Sequence, residues 1–361
     1  MTPSWGAITI TFLGHPAGFS GSYGKSMSAN GQVVVGHGST GGNQRALRWD
    51  AVSGWTDLGV LPGRVASNAM ATNHDGSVVI GSAFSPGQSS LAFRWTQEHG
   101  MQSLGVLPGT LSSSAYAISA DGSVIVGTCT VSATYRPFRW TAAGGMQEIG
   151  VLAGSTSITP YDISPDGSVI TGAAVVDGTQ YAFRWTESSG YELLSALPGW
   201  SLARGYGVSL AGTRVVGSSI TGASSRATMW ENDQTIDIGV VPGGSRGVLY
   251  AINDNGMVAV GADLTTVASA TMWTHMDGFV NLNTYLPQRG VSLGEYLLIN
   301  ANDISADGTR AVGWATRPYG SSSAWLVTGI PAPGVTGVLV LGVVAIAGRR
   351  SRTPRLAYTR A

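Results

Sequence analysis

The chain has 361 residues, 52 glycines, only 11% charged residues and a formal net charge of zero. Charge this sparse, with no basic face and no aromatic-basic motif, excludes a nucleic-acid partner. Cys129 is the only cysteine, so no internal disulfide framework forms, and no Cys/His spacing suits a metal.

In chain order, the first predicted strand is Ile8-Thr-Ile-Thr-Phe-Leu-Gly14. Seven near-copies of one segment of about 45 residues follow. The third copy reads Ala115-Tyr-Ala-Ile-Ser-Ala-Asp-Gly-Ser-Val-Ile-Val-Gly127, then Pro137-Phe-Arg-Trp-Thr141, then Gly145-Met-Gln-Glu-Ile-Gly150. A glycine closes the apolar run at Gly36, Gly81, Gly127, Gly172, Gly217, Gly261 and Gly313, at spacings of 45, 46, 45, 45, 44 and 52. A tryptophan keeps step at Trp49, Trp95, Trp140, Trp185, Trp230, Trp273 and Trp325. The repeated Phe and Trp are expected to be core between units.

Each copy predicts four short strands, in the third copy Ser114–Ser119, Ser123–Thr128, Arg136–Thr141 and Met146–Val151. The second run is apolar without alternation, as in a strand covered on both faces. The turn after the first strand carries Asp-Gly or Asn-Gly in six copies and Ala211-Gly212 in the fifth. The constant glycine suits a turn that needs positive φ, and the aspartate reads as a turn former. Four antiparallel strands per repeat predict an all-β, seven-bladed propeller over residues 8–328. Copies one to six own a fourth strand, Phe279–Leu286 in the sixth, and the seventh ends at Trp325–Val327 without one. The N-terminal strand is expected to supply it and close the ring, which removes exposed sheet edges.

The repeat, with its Ala-Ile-Ser-x-Asp-Gly-Ser-Val-Val-Val-Gly, Phe-Arg-Trp-Thr and Leu-Gly-x-Leu-Pro-Gly elements, resembles the HAF family of extracellular bacterial repeats. Copies five to seven depart from it, with Met229, Met272 and Ala324 where Arg48, Arg94, Arg139 and Arg184 stand earlier. The resemblance implies extracellular location and architecture, and no agreed activity. A second resemblance lies in residues 329–361. Ile330-Pro-Ala-Pro-Gly334 precedes an apolar run at 335–348 and an arginine-rich end at 349–361, similar to a PEP-CTERM sorting signal with Pro-Ala-Pro for Pro-Glu-Pro. It implies a short C-terminal hydrophobic helix, a transient inner-membrane tether and an exosortase-type processing enzyme as partner. Pro331, Pro333, Gly334, Arg349 and Arg350 are its sorting residues. The five arginines of that end leave 15 basic against 20 acidic residues elsewhere. Export needs a leader, and Met1-Thr-Pro-Ser-Trp-Gly lacks a basic start followed by an apolar core. A start upstream of Met1 is therefore expected.

A residue repeated seven times is structural, so function is sought where copies differ. Loops between blades carry Arg64, Trp200, Arg204, Arg246, Arg289 and Glu295. On the inner strands one position holds Lys25, Met70, Tyr116, Tyr161, Tyr206, Tyr250 and Asn302. The next holds Ser26, Ala71, Ala117, Asp162, Gly207, Ala251 and Asp303. Small residues there suit a channel wall, and Asp162 and Asp303 break the rule. Lys25 is the only lysine. The candidate ligand site is Lys25, Tyr116, Asp162, Tyr206, Tyr250 and Asp303 at the channel mouth. Tyrosine hydroxyls and ring faces suit a polysaccharide. The two aspartates either serve acid/base or cation chemistry or cap local backbone groups. No catalytic residue, metal or cofactor is assigned. The leading expectation is an exported, non-catalytic binding or matrix-associated propeller. A secreted lyase or glycosidase working in the channel is the alternative, and a cytoplasmic protein–protein scaffold the weaker one.

Overall fold

The computed structural model describes residues 7–331, apart from positions 133, 151, 266 and 319. It contains seven four-stranded antiparallel sheets arranged as propeller blades. In blade 3 the strands are Ser112–Ile118, Val124–Val131, Thr134–Thr141 and Gly145–Glu148, so the second and third strands run longer than the sequence suggested and the fourth is shorter. The inner strands of the other blades are Gly21–Met27, Ala66–Thr72, Ser155–Ile163, Leu202–Val208, Gly247–Ile252 and Leu297–Ile304.

The ring closes as expected. Thr9–Phe12 pairs with Ser323–Thr328 of blade 7, in the register Thr9 to Thr328 and Phe12 to Trp325. Phe12 also stacks on Tyr296, with ring centroids 3.7 Å apart. The sixth copy differs from expectation. Its fourth strand stops at Asn281, and Leu282–Tyr285 turns into a helix. The Asn281 side chain accepts the Asn283 N–H at 2.9 Å and so caps that turn. The longer spacing of this copy is the trace of that helix and of Pro287–Arg289, which follows it. Pro331 is the last described residue. Pro333, Gly334, Arg349, Arg350 and the expected C-terminal helix lie outside the described residues. No helix among the described residues is long and apolar enough to cross a membrane.

The core lies between blades. Ile125 packs with Val78, Ile80 and Ala92 of blade 2. Its neighbours Val124 and Val126 pack with Ile163, Ile170 and Phe183 of blade 4. One strand thus feeds two cores by its period of two, which is why its sequence shows no alternation. Each such side chain, fully removed from water, contributes about 1.5–3 kcal/mol. Phe93, Phe138, Phe183 and Trp325 are fully buried, and Trp95 and Trp230 nearly so. Trp49, Trp140, Trp185 and Trp273 are only half-buried.

Hydrogen bonds stitch the seams. At the end of the channel where the inner strands turn, a belt of backbone bonds passes from blade to blade. Ala306 donates to Ala29, Asn30 to His74, His74 to Ala120, Ala120 to Pro165, Leu210 to Asp254 and Asp254 to Ala306, at 2.8–3.3 Å. Pro165 has no N–H, so the belt skips the seam between blades 4 and 5. A second set uses arginine. Arg48 and Arg184 on third strands donate to the turn-glycine carbonyls of the next blade, Gly76 and Gly212, at 3.1 and 3.3 Å. In blades 5 and 7 that arginine is missing. There Arg214 and Arg310 donate to Gly256 and Gly31 at 2.9 and 3.0 Å instead. Arg214 shares a sheet face with Val216, which pairs with Met229. The cation has moved to the adjacent strand and kept its target.

Candidate functional site

The site begins with the glycine that ends each apolar run. A Cβ at Gly127 would overlap the Ser114 carbonyl oxygen, and one at Gly36 would overlap that of Tyr23. With no side chain in the way, the inner strand settles onto the glycine and slips one residue. The pairing skips from Ala115 to Ala117, from Gly24 to Ser26 and likewise at this point in each blade. The skipped residues are Lys25, Met70, Tyr116, Tyr161, Tyr206, Tyr250 and Asn302. A β-bulge re-aims its extra residue, and here all seven line the central channel, whose cavity measures about 220 Å³.

The six expected site residues, Lys25, Tyr116, Asp162, Tyr206, Tyr250 and Asp303, all line this channel. Four tyrosines form a continuous arc over blades 3 to 6. Ring centroids are 6.5 Å apart from Tyr116 to Tyr161, 5.0 Å from Tyr161 to Tyr206, and 5.7 Å from Tyr206 to Tyr250. Burial pushes Tyr161 up to about 12, and Tyr250 up as well, so their hydroxyls keep their protons. Lys25 stands in blade 1 without an ion pair among the described residues, and burial lowers its pKa. Behind it, burial and the Lys25 charge push His37 down to about 4, so His37 is neutral at physiological pH. Tyr23 stacks on His37 at 4.8 Å and packs edge-on to Trp314 at 5.3 Å.

The two aspartates share the channel but no hydrogen bond. Each has a separate task. Asp162 accepts the Ile163 N–H at 2.8 Å and, across the seam, the Val208 N–H at 2.9 Å. Asp303 accepts the Ile304 N–H at 2.8 Å and, across the seam to blade 1, the Met27 N–H at 2.9 Å and the Ser26 hydroxyl at 2.7 Å. The side chains are half-buried, hemmed in by the channel wall. Burial pushes Asp162 up to about 7 against the pull of its two N–H donors, with a smaller push from the Asp303 charge. Burial raises Asp303 too. Both seams are special. One joins the last blade to the first, and the other is the seam that Pro165 leaves without a belt bond. Of the two readings open in the sequence, the geometry displays the backbone-capping one.

Of the arginines expected in loops, Arg246 lies in the connection between Gln234–Gly239 and Gly247–Ile252 as expected, and Arg204 does not. Arg204 lies within the inner strand of blade 5 and Arg246 just before that of blade 6. With Tyr206 and Tyr250 they line a cleft between those blades, together with Ser225, which no sequence signal marked. Among the described residues no three His, Cys, Asp or Glu side chains gather to hold a metal ion. Cys129 is buried, donates to the Met146 sulfur at 3.4 Å, and has its pKa raised by burial.

No protein-family model matches the chain, and no curated protein matches it. Solved structures do. An oligogalacturonate lyase from Vibrio parahaemolyticus aligns with a TM-score of 0.60 at 12% identity, covering 89% of this chain and 93% of that one. An oligogalacturonate lyase in complex with manganese gives 0.59 at 15% identity, over 90% and 94%. A putative TolB from Agrobacterium tumefaciens gives 0.48 at 15% identity, over 69% and 94%. What the two lyases share with this chain is the propeller fold.

Proposed function

We propose that the protein is a non-catalytic binding propeller that takes a polysaccharide at the tyrosine arc of its channel. The arc is the observation that carries this reading. Four adjacent bulges present four aromatic rings, 5.0–6.5 Å apart, in one channel. Sugars meet such surfaces through C–H faces on rings and hydroxyls on phenol oxygens. Lys25, across the channel, adds a charge that has no ion pair among the described residues. Two propellers of similar fold are oligogalacturonate lyases, which supports a sugar polymer as the ligand class. The lyase alternative gains nothing from the aspartates, because both carboxylates are engaged in holding seams.

The test is titration with soluble polysaccharides while the products are watched. Saturable binding without cleavage is expected. Tyr206→Ala is expected to weaken it by about tenfold, the size of one good aromatic contact. Cleavage of the polymer would overturn the reading.

We also propose that the propeller works outside the cytoplasm, carried there with the sorting-like tail at 329–361 and processed by an exosortase-type enzyme. The motif likeness to HAF repeats and the order Pro-Ala-Pro, apolar run, arginines support it. Intact mass in host fractions tests it. A product ending near Pro331–Gly334 outside the cytoplasm is expected, and a full-length cytoplasmic product would refute it.

A further inference from the structure

We propose that the cleft between blades 5 and 6 is a subsite for an acidic sugar, one bearing a carboxylate. The inference rests on the polysaccharide reading above and adds the chemistry of its ligand. The cleft has a volume of about 120 Å³ and shares Tyr206 and Tyr250 with the channel, so a chain lying on the arc runs on into it. Two guanidinium groups face it. Arg204 is held by the Gln180 side-chain oxygen at 2.7 Å and the Tyr206 hydroxyl at 3.4 Å. Arg246 is exposed, and its side chain has no partner among the described residues. Neither forms an ion pair there. Asp263, which pairs with Gly247 beside Arg246, holds its carboxylate on the Thr265 N–H at 3.0 Å instead.

An independent observation points the same way. Ser225 is 7% exposed, lines the cleft, and its hydroxyl has no hydrogen-bond partner among the described residues. A buried hydroxyl without a partner costs free energy that a ligand oxygen can recover. Ser225 and Arg246 are joined by a parallel backbone bridge, so donor and cation sit side by side. A planar guanidinium fork matches a carboxylate in two parallel hydrogen bonds. The free fork of Arg246, the remaining donors of Arg204, an unsatisfied hydroxyl and two aromatic rings are donor-rich and acceptor-poor, which selects an anionic sugar over a neutral one.

The experiment compares a uronate tetrasaccharide with its methyl ester, which removes only the charge. Calorimetry is run on the wild type, Arg246→Gln, Ser225→Ala and Tyr206→Ala. The acid is expected to bind at least about tenfold tighter than the ester. Arg246→Gln should erase that preference, and Ser225→Ala should weaken the acid and spare the ester. Equal binding of acid and ester, with Tyr206→Ala still weakening both, overturns the subsite and leaves the arc standing. Failure of both probes to bind overturns the arc and the subsite together.

Discussion

Asp162 accepts the Val208 N–H at 2.9 Å across the one seam where Pro165 cannot donate to the blade-to-blade belt. The carboxylate supplies a cross-seam bond at the seam where proline removes one. The two positions should therefore be coupled. Asp162→Ala is expected to cost about 1–3 kcal/mol by leaving N–H groups unsatisfied. In a Pro165→Ala background, where residue 165 regains a donor facing Leu210, that cost should shrink by about 0.5 kcal/mol or more. Chemical denaturation of the four proteins checks this. Strict additivity would show that the two features are unrelated.

The same carboxyl makes stability depend on pH. Its pKa in the fold is raised from 3.8 to about 7, so the folded state binds more protons than the unfolded chain between those values. Its contribution is full below the lower value and is lost as pH rises through the upper one. His37, lowered from 6.5 to about 4, acts in the opposite direction over part of that window. The prediction is therefore a difference. The stability lost in Asp162→Asn should be larger at about pH 5 than at about pH 8, with a slope of up to about 1.4 kcal/mol per pH unit. Urea unfolding of both proteins at the two pH values measures it, and a constant difference would contradict it.

The turn glycines carry two separate constraints. Gly76 has φ +77°, and an added Cβ would strike the Val33 side chain of blade 1, whereas Gly109 has φ +78° with nothing within 4 Å. Gly109→Ala should cost about 1–2 kcal/mol, the left-handed backbone strain alone. Gly76→Ala should cost about 1–3 kcal/mol more, from overpacking at the seam. Equal melting-temperature losses would show that no seam contact constrains Gly76.

Arg310 of blade 7, the blade that the N-terminal strand completes, donates to the Gly31 carbonyl of blade 1 at 3.0 Å. Arg310→Met should speed amide exchange in Thr9–Phe12 and Ser323–Thr328 more than in blade 3, because opening starts where the ring is not covalently continuous. Uniform exchange across the blades would contradict that.

Much of the architecture was legible because it repeats. Seven glycines, seven tryptophans and one orphan strand at Ile8–Gly14 gave the blade count and the closure. The channel position was legible too, since Lys25, Met70, Tyr116, Tyr161, Tyr206, Tyr250 and Asn302 are where copies disagree. The bulge that aims them was not, because it follows from a backbone contact on Gly127 that one strand's sequence does not show. The role of Asp162 was left open for a similar reason. Its partner Val208 and the gap at Pro165 belong to different elements, joined only by the ring. Ser225 gave no signal at all, being one of many serines. The helix Leu282–Tyr285 reads as strand in the sequence because its apolar run is too short to show a period.

The central claim is that the channel binds a polysaccharide and does not cut it. The most direct measurement is calorimetric titration of the purified propeller with a uronate oligomer, followed by mass spectrometry of the recovered sugar. Saturable binding that Tyr206→Ala weakens, with the oligomer intact, is the predicted result. Recovery of shorter or unsaturated products from the wild-type protein would contradict it.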